Sequence, residues 1–175
     1  MTDLYNKIVG DRGSLENLLA KIPGFRGYME MSGRREADRM IRDHVAKQFE
    51  TLINRYATLQ ADLVRKGGLL VMDKAKNIHT NLETLRRRIA TDTPGYSGFF
   101  ASNKIGTEEL ENVYAFDEAM VRYVEQIAQK LDSLNTGISS ADMTAIESGL
   151  NDLELTVNEA HQAYDLRNNV LTGIA

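Results

Sequence analysis

The chain has 175 residues, of which 42% are hydrophobic and 26% are charged, with no cysteine, no tryptophan and a net charge of −4. This length supports one domain with a substantial core, and the lack of cysteine excludes disulfides, zinc–thiolate sites and thiol catalysis. The mild acidity gives no argument for nucleic acid, and the longest apolar run, residues 69–72, cannot cross a membrane, so a cytoplasmic protein is expected.

A short N-terminal helical segment is predicted over residues 1–22. Residues 4–9 can form a helical turn, and the glycines of residues 10–13 interrupt it. Ser14 is then expected to cap a second short helix that carries leucines on one face.

Residues 23–90 are predicted to form a basic helical hairpin. Apolar residues recur every three or four positions from Ala37 to Leu63 and again from Val71 to Ile89, which is typical of one buried helix face. The first helix is expected over residues 28–66. Gly67-Gly68 then favours a tight turn between antiparallel helices, with a single kinked rod as the alternative.

An aromatic and glycine-rich loop is predicted over residues 91–106, which show no helical period. Tyr96, Phe99 and Phe100 lie near its centre. They either plug the open end of the bundle or form an exposed contact for a protein partner or a membrane surface.

Residues 107–175 are predicted to form a second, acidic helical hairpin. Thr107 is expected to cap its first helix, whose stripe runs to Leu134. Residues 135–139 are interpreted as a short polar connection, and Ser140 with Asp142 as the cap of the last helix.

The fold class that follows is all-α: an elongated four-helix bundle of two antiparallel coiled-coil hairpins in one domain. The hexapeptides Pro-Gly-Phe-Arg-Gly-Tyr at 23–28 and Pro-Gly-Tyr-Ser-Gly-Phe at 94–99 share a pattern at an offset of 71. They suggest a duplicated hairpin. The alternative is a chance match, since heptad-like patterns align with one another at many offsets.

Charge divides between the two hairpins. Residues 21–90 carry a net charge of +7 and residues 91–175 a net charge of −10. Either the hairpins attract each other, or an arginine-rich end binds phosphate, anionic lipid or an acidic partner. The arginines proposed for that end are Arg34, Arg35, Arg39, Arg42, Arg86, Arg87 and Arg88.

The sequence shows no catalytic or metal-binding constellation, so no enzyme activity and no cofactor are expected. His44, His79 and His161 lack the Glu-x-x-His spacing of di-metal bundles. Arg167 interrupts the last apolar stripe. It is interpreted as part of a fraying helix end, with a buried ion pair as the alternative.

Three motifs resemble a family of prokaryotic, all-helical proteins to which no activity is attached. They are Ile-Pro-Gly-Phe-Arg-Gly-Tyr at 22–28, Arg-Arg-Glu-Ala-Asp-Arg at 34–39 and Gly-Tyr-Ser-Gly-Phe-Phe at 95–100. The resemblance implies helices and a bacterial or archaeal source, and it carries no site residues.

We therefore predict a non-enzymatic helical bundle that acts through protein–protein contact and associates with itself. The alternative is a peripheral membrane or anionic-ligand binding protein that uses the arginine-rich end and the aromatic loop. No nucleic acid partner is expected, because aromatic residues do not alternate with the arginines.

Overall fold

The computed structural model describes residues 2–10, 13–26, 34–66, 68–91 and 107–172. Its described part contains six α-helices and no strand, which confirms the all-α prediction. The helices are α1 (Thr2–Val9), α2 (Ser14–Lys21), α3 (Arg34–Arg65), α4 (Met72–Thr91), α5 (Thr107–Ser140) and α6 (Met143–Thr172), with a 3-10 turn at Gly68–Val71.

Four long helices form the body of the molecule as two antiparallel hairpins. In the first hairpin α3 packs on α4, and in the second α5 packs on α6. The hairpins lie side by side, with α3 next to α5 and α4 next to α6. Both hairpin turns therefore lie at one end of the bundle, which we call the turn end. The opposite end, where α3 and α5 start and α4 and α6 finish, is the open end.

The apolar stripes predicted from the sequence form one continuous core between the four helices. In α4 the five buried residues are spaced by three or four: Ala75, Ile78, Leu82, Leu85 and Ile89. This spacing keeps one helix face on the core, and the buried apolar area drives the association of the hairpins.

One stretch near the start of α5 is buried on every side. Residues 113–121 are all buried, because α1 and α2 cover the face of α5 that the other long helices leave open. Tyr5 of α1 lies against Phe116 with ring centroids 5.7 Å apart, and Leu18 of α2 has no exposed surface. The short helices thus complete the core.

Gly68 lies at a hairpin turn and not at a kink, because α4 folds back along α3, and Gly67 lies outside the described residues. Gly68 is buried against Leu63. A Cβ at Gly68 would lie 2.4 Å from Leu63 Cδ1, so this close approach requires glycine.

The second hairpin turns more tightly than the sequence predicts. Residues 135–139 belong to α5, which continues to Ser140, so the predicted polar connection is wrong there. Asp142 does cap α6, since its Oδ1 accepts a hydrogen bond from the Ala145 amide at 3.1 Å. Ser140 does not cap the helix; its hydroxyl donates to carbonyl oxygens of α5, including Thr136 O at 3.0 Å.

At the N-terminal side, the predicted cap Ser14 is the first residue of α2, and the capping position is Gly13. Its φ of 85° is in the left-handed region that glycine adopts freely. Thr107, the predicted cap of α5, is instead the first residue of that helix.

Candidate functional site

A buried ionic cluster lies in the core near the open end and joins three of the long helices. Arg167 of α6 is only 1% exposed. Its Nε donates to Asp117 Oδ1 of α5 at 2.6 Å, and its Nη2 donates to Asp38 Oδ1 of α3. The fraying-end interpretation of Arg167 was wrong and the buried ion pair is correct, because α6 continues to Thr172 and carries Arg167 into the core.

Arg42 extends this cluster to the fourth helix. Its Nε donates to Asp38 Oδ2 at 3.0 Å, and its Nη1 donates to the carbonyl oxygen of Ile89 at 3.1 Å. Ile89 O belongs to the last turn of α4, where backbone carbonyls lack helical partners. The cluster therefore contains two carboxylates and two guanidinium groups, and it ties all four long helices together.

One carboxylate oxygen of Asp117 is unsatisfied within the described part of the chain. Its Oδ2 is buried and has no hydrogen-bond partner among those residues. Burial raises the pKa of Asp117 to about 6; the charge of Arg167 opposes this rise and the charge of Asp38 adds to it. A cavity of about 10 Å³ lies beside this carboxylate, between Arg42, Tyr164 and Arg167.

The arginines proposed as a binding surface do not share one role. Arg42 points into the cluster, and Arg88 Nη2 donates to Asp165 of α6 while its guanidinium lies 5.2 Å from the ring of Tyr164. The other described members stay nearer solvent: Arg39 lies 3.8 Å from Asp43, Arg86 lies 3.4 Å from Glu83, and Arg87 is exposed. The side chains of Arg34 and Arg35 lie outside the described residues, as do Tyr96, Phe99 and Phe100.

Complementary charges line the contact between the two hairpins. Three ion pairs join a base of the first hairpin to an acid of the second: Arg55–Asp132, Lys74–Glu154 at 3.3 Å and Arg88–Asp165. The basic and acidic halves of the sequence therefore face each other inside one chain. Of the two alternatives predicted from the charge distribution, this arrangement corresponds to the one in which the hairpins attract each other.

The same contacts fix how the hairpins are aligned. Arg55–Asp132, Lys74–Asn151 and Arg88–Asp165 each join residues that are 77 apart in sequence. Equivalent helices of the two hairpins thus run parallel in a constant register. The offset of 71 between the hexapeptides is not tested by this register, because residues 94–99 lie outside the described residues.

A half-open cleft of about 360 Å³ lies between the end of α2, the first half of α3 and the middle of α5. Val45, Val121 and Val124 form its apolar side. Its polar lining is supplied by Lys21, His44, Gln48 and Glu125, and Pro23 lies at its rim. From the sequence, His44 was considered only as a metal ligand; the cleft was not predicted, because its walls come from three separate parts of the chain.

The polar side chains on one side of the cleft are charged, whereas His44 on the other side is neutral. The Lys21 ammonium lies 3.0 Å from Glu125 Oε1 and 3.2 Å from Oε2, so these two charges neutralise each other. Burial, and after it the charge of Lys47, lower the pKa of the His44 imidazole from its usual 6.5. His44 is therefore neutral at pH 7.

The two most exposed large apolar side chains of the described residues lie at the turn end. Leu70 is 93% exposed and Leu69 is 69% exposed, both in the 3-10 turn after Gly68, and the neighbouring Val64 is 46% exposed. In the sequence these leucines belong to the apolar run of residues 69–72. That run was considered only as evidence against a membrane span, and its exposure was not predicted.

Two further observations concern metal sites and membrane-spanning helices. Among the described residues, no three histidine, aspartate or glutamate side chains are grouped as they would be to hold a metal ion. In the described helices, no stretch combines the length and the hydropathy needed to cross a membrane.

No protein-family model, no curated protein and no solved structure matches this chain. The resemblance to a prokaryotic helical family therefore stays a prediction.

Proposed function

We propose that this protein acts in the cytoplasm as a non-enzymatic helical bundle, through protein–protein contact at its turn end, and that a second copy of the chain is a partner. The observation that carries this proposal is the exposure of Leu69 and Leu70. Covering each leucine on association would gain roughly 1.5–3 kcal/mol, before the cost of ordering.

The second hairpin turn, at the same end, is the internal comparison. It reverses the chain with Ala141 and Asp142 and exposes no large apolar residue. A helix reversal in this protein therefore does not need exposed leucines. Leu69 and Leu70 follow directly after Gly68, which packs tightly on Leu63.

The charges beside the two hairpin turns favour a second copy of the chain as the partner at the turn end. Lys66 flanks the leucine turn together with Arg65, which also pairs with Asp62 at 2.9 Å, whereas Asp142 and Glu147 flank the other turn. A two-fold, end-to-end contact can set the basic turn of one copy against the acidic turn of its partner. The two turns contain few side chains, so their contact buries less than the roughly 1,000 Å² typical of stable interfaces. We therefore expect a weak dimer.

Sedimentation velocity over a wide protein concentration range tests this proposal. We expect the wild type to show concentration-dependent dimerisation that is lost in the double variant Leu69→Gln/Leu70→Gln. Leu155→Gln is the matched control, since Leu155 is 63% exposed on α6, away from both turns, and its replacement should leave dimerisation unchanged. A wild type that stays monomeric at the highest concentration would contradict self-association.

The membrane alternative is distinguished by vesicle flotation. Binding to anionic vesicles that weakens with salt and disappears in an Arg86→Glu/Arg87→Glu variant would favour that alternative over the proposal. Arg42 and Arg88 are less suited to such binding, because both already bond to groups within the chain.

A further inference from the structure

We propose that the cleft between α2, α3 and α5 is a binding site for a small, uncharged molecule that combines a hydrophobic group with a carboxamide-like hydrogen-bonding edge. This site is independent of the turn end and adds a ligand-binding role to the proposed protein contact.

The size of the cleft fits a small molecule. Its volume of about 360 Å³ lies in the range of ordinary ligand pockets, which begins at about 300 Å³. Three valines supply an apolar wall, two from α5 and one from α3. A ring or short alkyl group placed against them would leave water, which favours binding.

Two neutral polar side chains lie one helical turn apart on α3. His44 and Gln48 are spaced by four residues, so they project from the same face of the helix into the cleft lining. No described residue hydrogen-bonds either side chain. A neutral imidazole and a carboxamide each offer one or more donors and one acceptor, so together they can match the N–H and C=O of an amide edge.

The charged pair at the opposite wall selects against ions. Glu125 places both carboxylate oxygens within hydrogen-bond distance of the Lys21 ammonium. An anionic ligand would compete with Glu125 for Lys21, and a cationic ligand would compete with Lys21 for Glu125. A neutral ligand leaves this pair intact, and specificity here arises from the competition that charged ligands must overcome.

Three probes of almost the same shape test the charge preference: benzamide, benzoate and benzamidine. Chemical shifts of the His44 imidazole and of the Val121 and Val124 methyl groups are followed by NMR at pH 7.5 during titration with each probe. We expect saturable shifts with benzamide, with a Kd on the order of 1 mM for so small a molecule. Benzoate and benzamidine should bind at least several-fold more weakly.

Paired variants assign the shifts to the cleft. Val124 is half-buried in the cleft wall, so the larger side chain of Val124→Trp should fill the cleft and abolish benzamide binding. Leu155→Trp, on the exposed face of α6, should leave benzamide binding unchanged. Gln48→Ala, at an exposed position that tolerates truncation, should weaken binding roughly 3- to 10-fold through the lost hydrogen bond. Gln129→Ala, exposed on α5, is its control.

Three results would overturn the proposal: no saturable shift with benzamide, equal or tighter binding of either charged probe, or benzamide binding that survives Val124→Trp. Because Gln48 is exposed, its variant reports on binding even if the tryptophan variant unfolds.

Discussion

Arg167 illustrates how one residue can connect the whole cross-section of a bundle. A guanidinium group has five N–H donors in a fixed plane, and here that plane reaches carboxylates on two different helices. A buried ion pair does not by itself indicate high stability, because removing both charges from water costs several kcal/mol. Removing Arg167 is nevertheless expensive, since the buried Asp117 then loses its ion-pair partner and Asp38 keeps only Arg42 among the described residues.

We therefore expect Arg167→Met to lower the free energy of unfolding by roughly 3–5 kcal/mol in urea denaturation. Arg39→Met, at an exposed position with only a long contact to Asp43, is the matched control and should change it by no more than about 0.5 kcal/mol. If both variants lose the same small amount, the cluster does not have the structural role that we assign to it.

Asp117 gives the folded protein a specific dependence on pH. Its pKa is raised from 3.8 to about 6 in the folded state, so between about pH 4 and pH 6 the folded state binds more protons than the unfolded state. The contribution of this carboxyl to stability is therefore most favourable at low pH. It is lost as the pH rises through 6, where Asp117 must ionise although no described residue hydrogen-bonds its Oδ2.

Asp117→Asn should remove this dependence. Measured relative to the wild type by urea denaturation, the stability of the variant is expected to rise by about 2 kcal/mol from pH 4 to pH 7. Titrating groups outside the ionic cluster, including His44, are present in both proteins and cancel in the difference. A difference that stays flat, or that has the opposite sign, would contradict the raised pKa.

At the scale of elements, the first hairpin turn depends on a contact between Gly68 and Leu63. We expect Gly68→Ala to cost roughly 1–3 kcal/mol, because the added Cβ would overlap with a leucine that is itself fixed in the core. The same substitution in a Leu63→Ala background should cost much less, since the side-chain overlap is then gone. A double-mutant cycle measures this coupling, and additive costs would contradict it.

The helices were predictable from the sequence because their apolar stripes are regular, as in α4. Residues 135–139 were mispredicted because several polar residues there obscured the pattern, although Gly137 and Ile138 are buried and continue the α5 stripe. Arg167 and Asp117 were harder, because a charge in an apolar stripe indicates a partner but does not identify it. The partners lie 50 and 129 residues away, and only the packing of three helices brings them together.

For the whole molecule, the opposite charges of the two hairpins stabilise their association along its length. Lys74→Glu is expected to lower the free energy of unfolding by about 1 kcal/mol, because it places like charges next to Glu154. The double variant Lys74→Glu/Glu154→Lys should recover most of that loss. Lys76→Glu, at an exposed position on the same helix, is the control for the change in net charge.

If the charge swap fails to recover stability at low salt, the ion pairs contribute little and apolar packing alone aligns the hairpins. Increasing salt should also reduce the difference between Lys74→Glu and the wild type, because the pair is only partly buried.

The complete enclosure of residues 113–121 has a consequence for the kinetics of amide hydrogen exchange. Backbone amides in this stretch face no solvent, so their protons exchange only when neighbouring helices separate. If α1 and α2 detach without global unfolding, exchange in this stretch will be faster than exchange in the middle of α4. If they detach only when the bundle unfolds, the two stretches will show the same free energy of opening, and the short N-terminal helices will belong to the same cooperative unit as the four long ones.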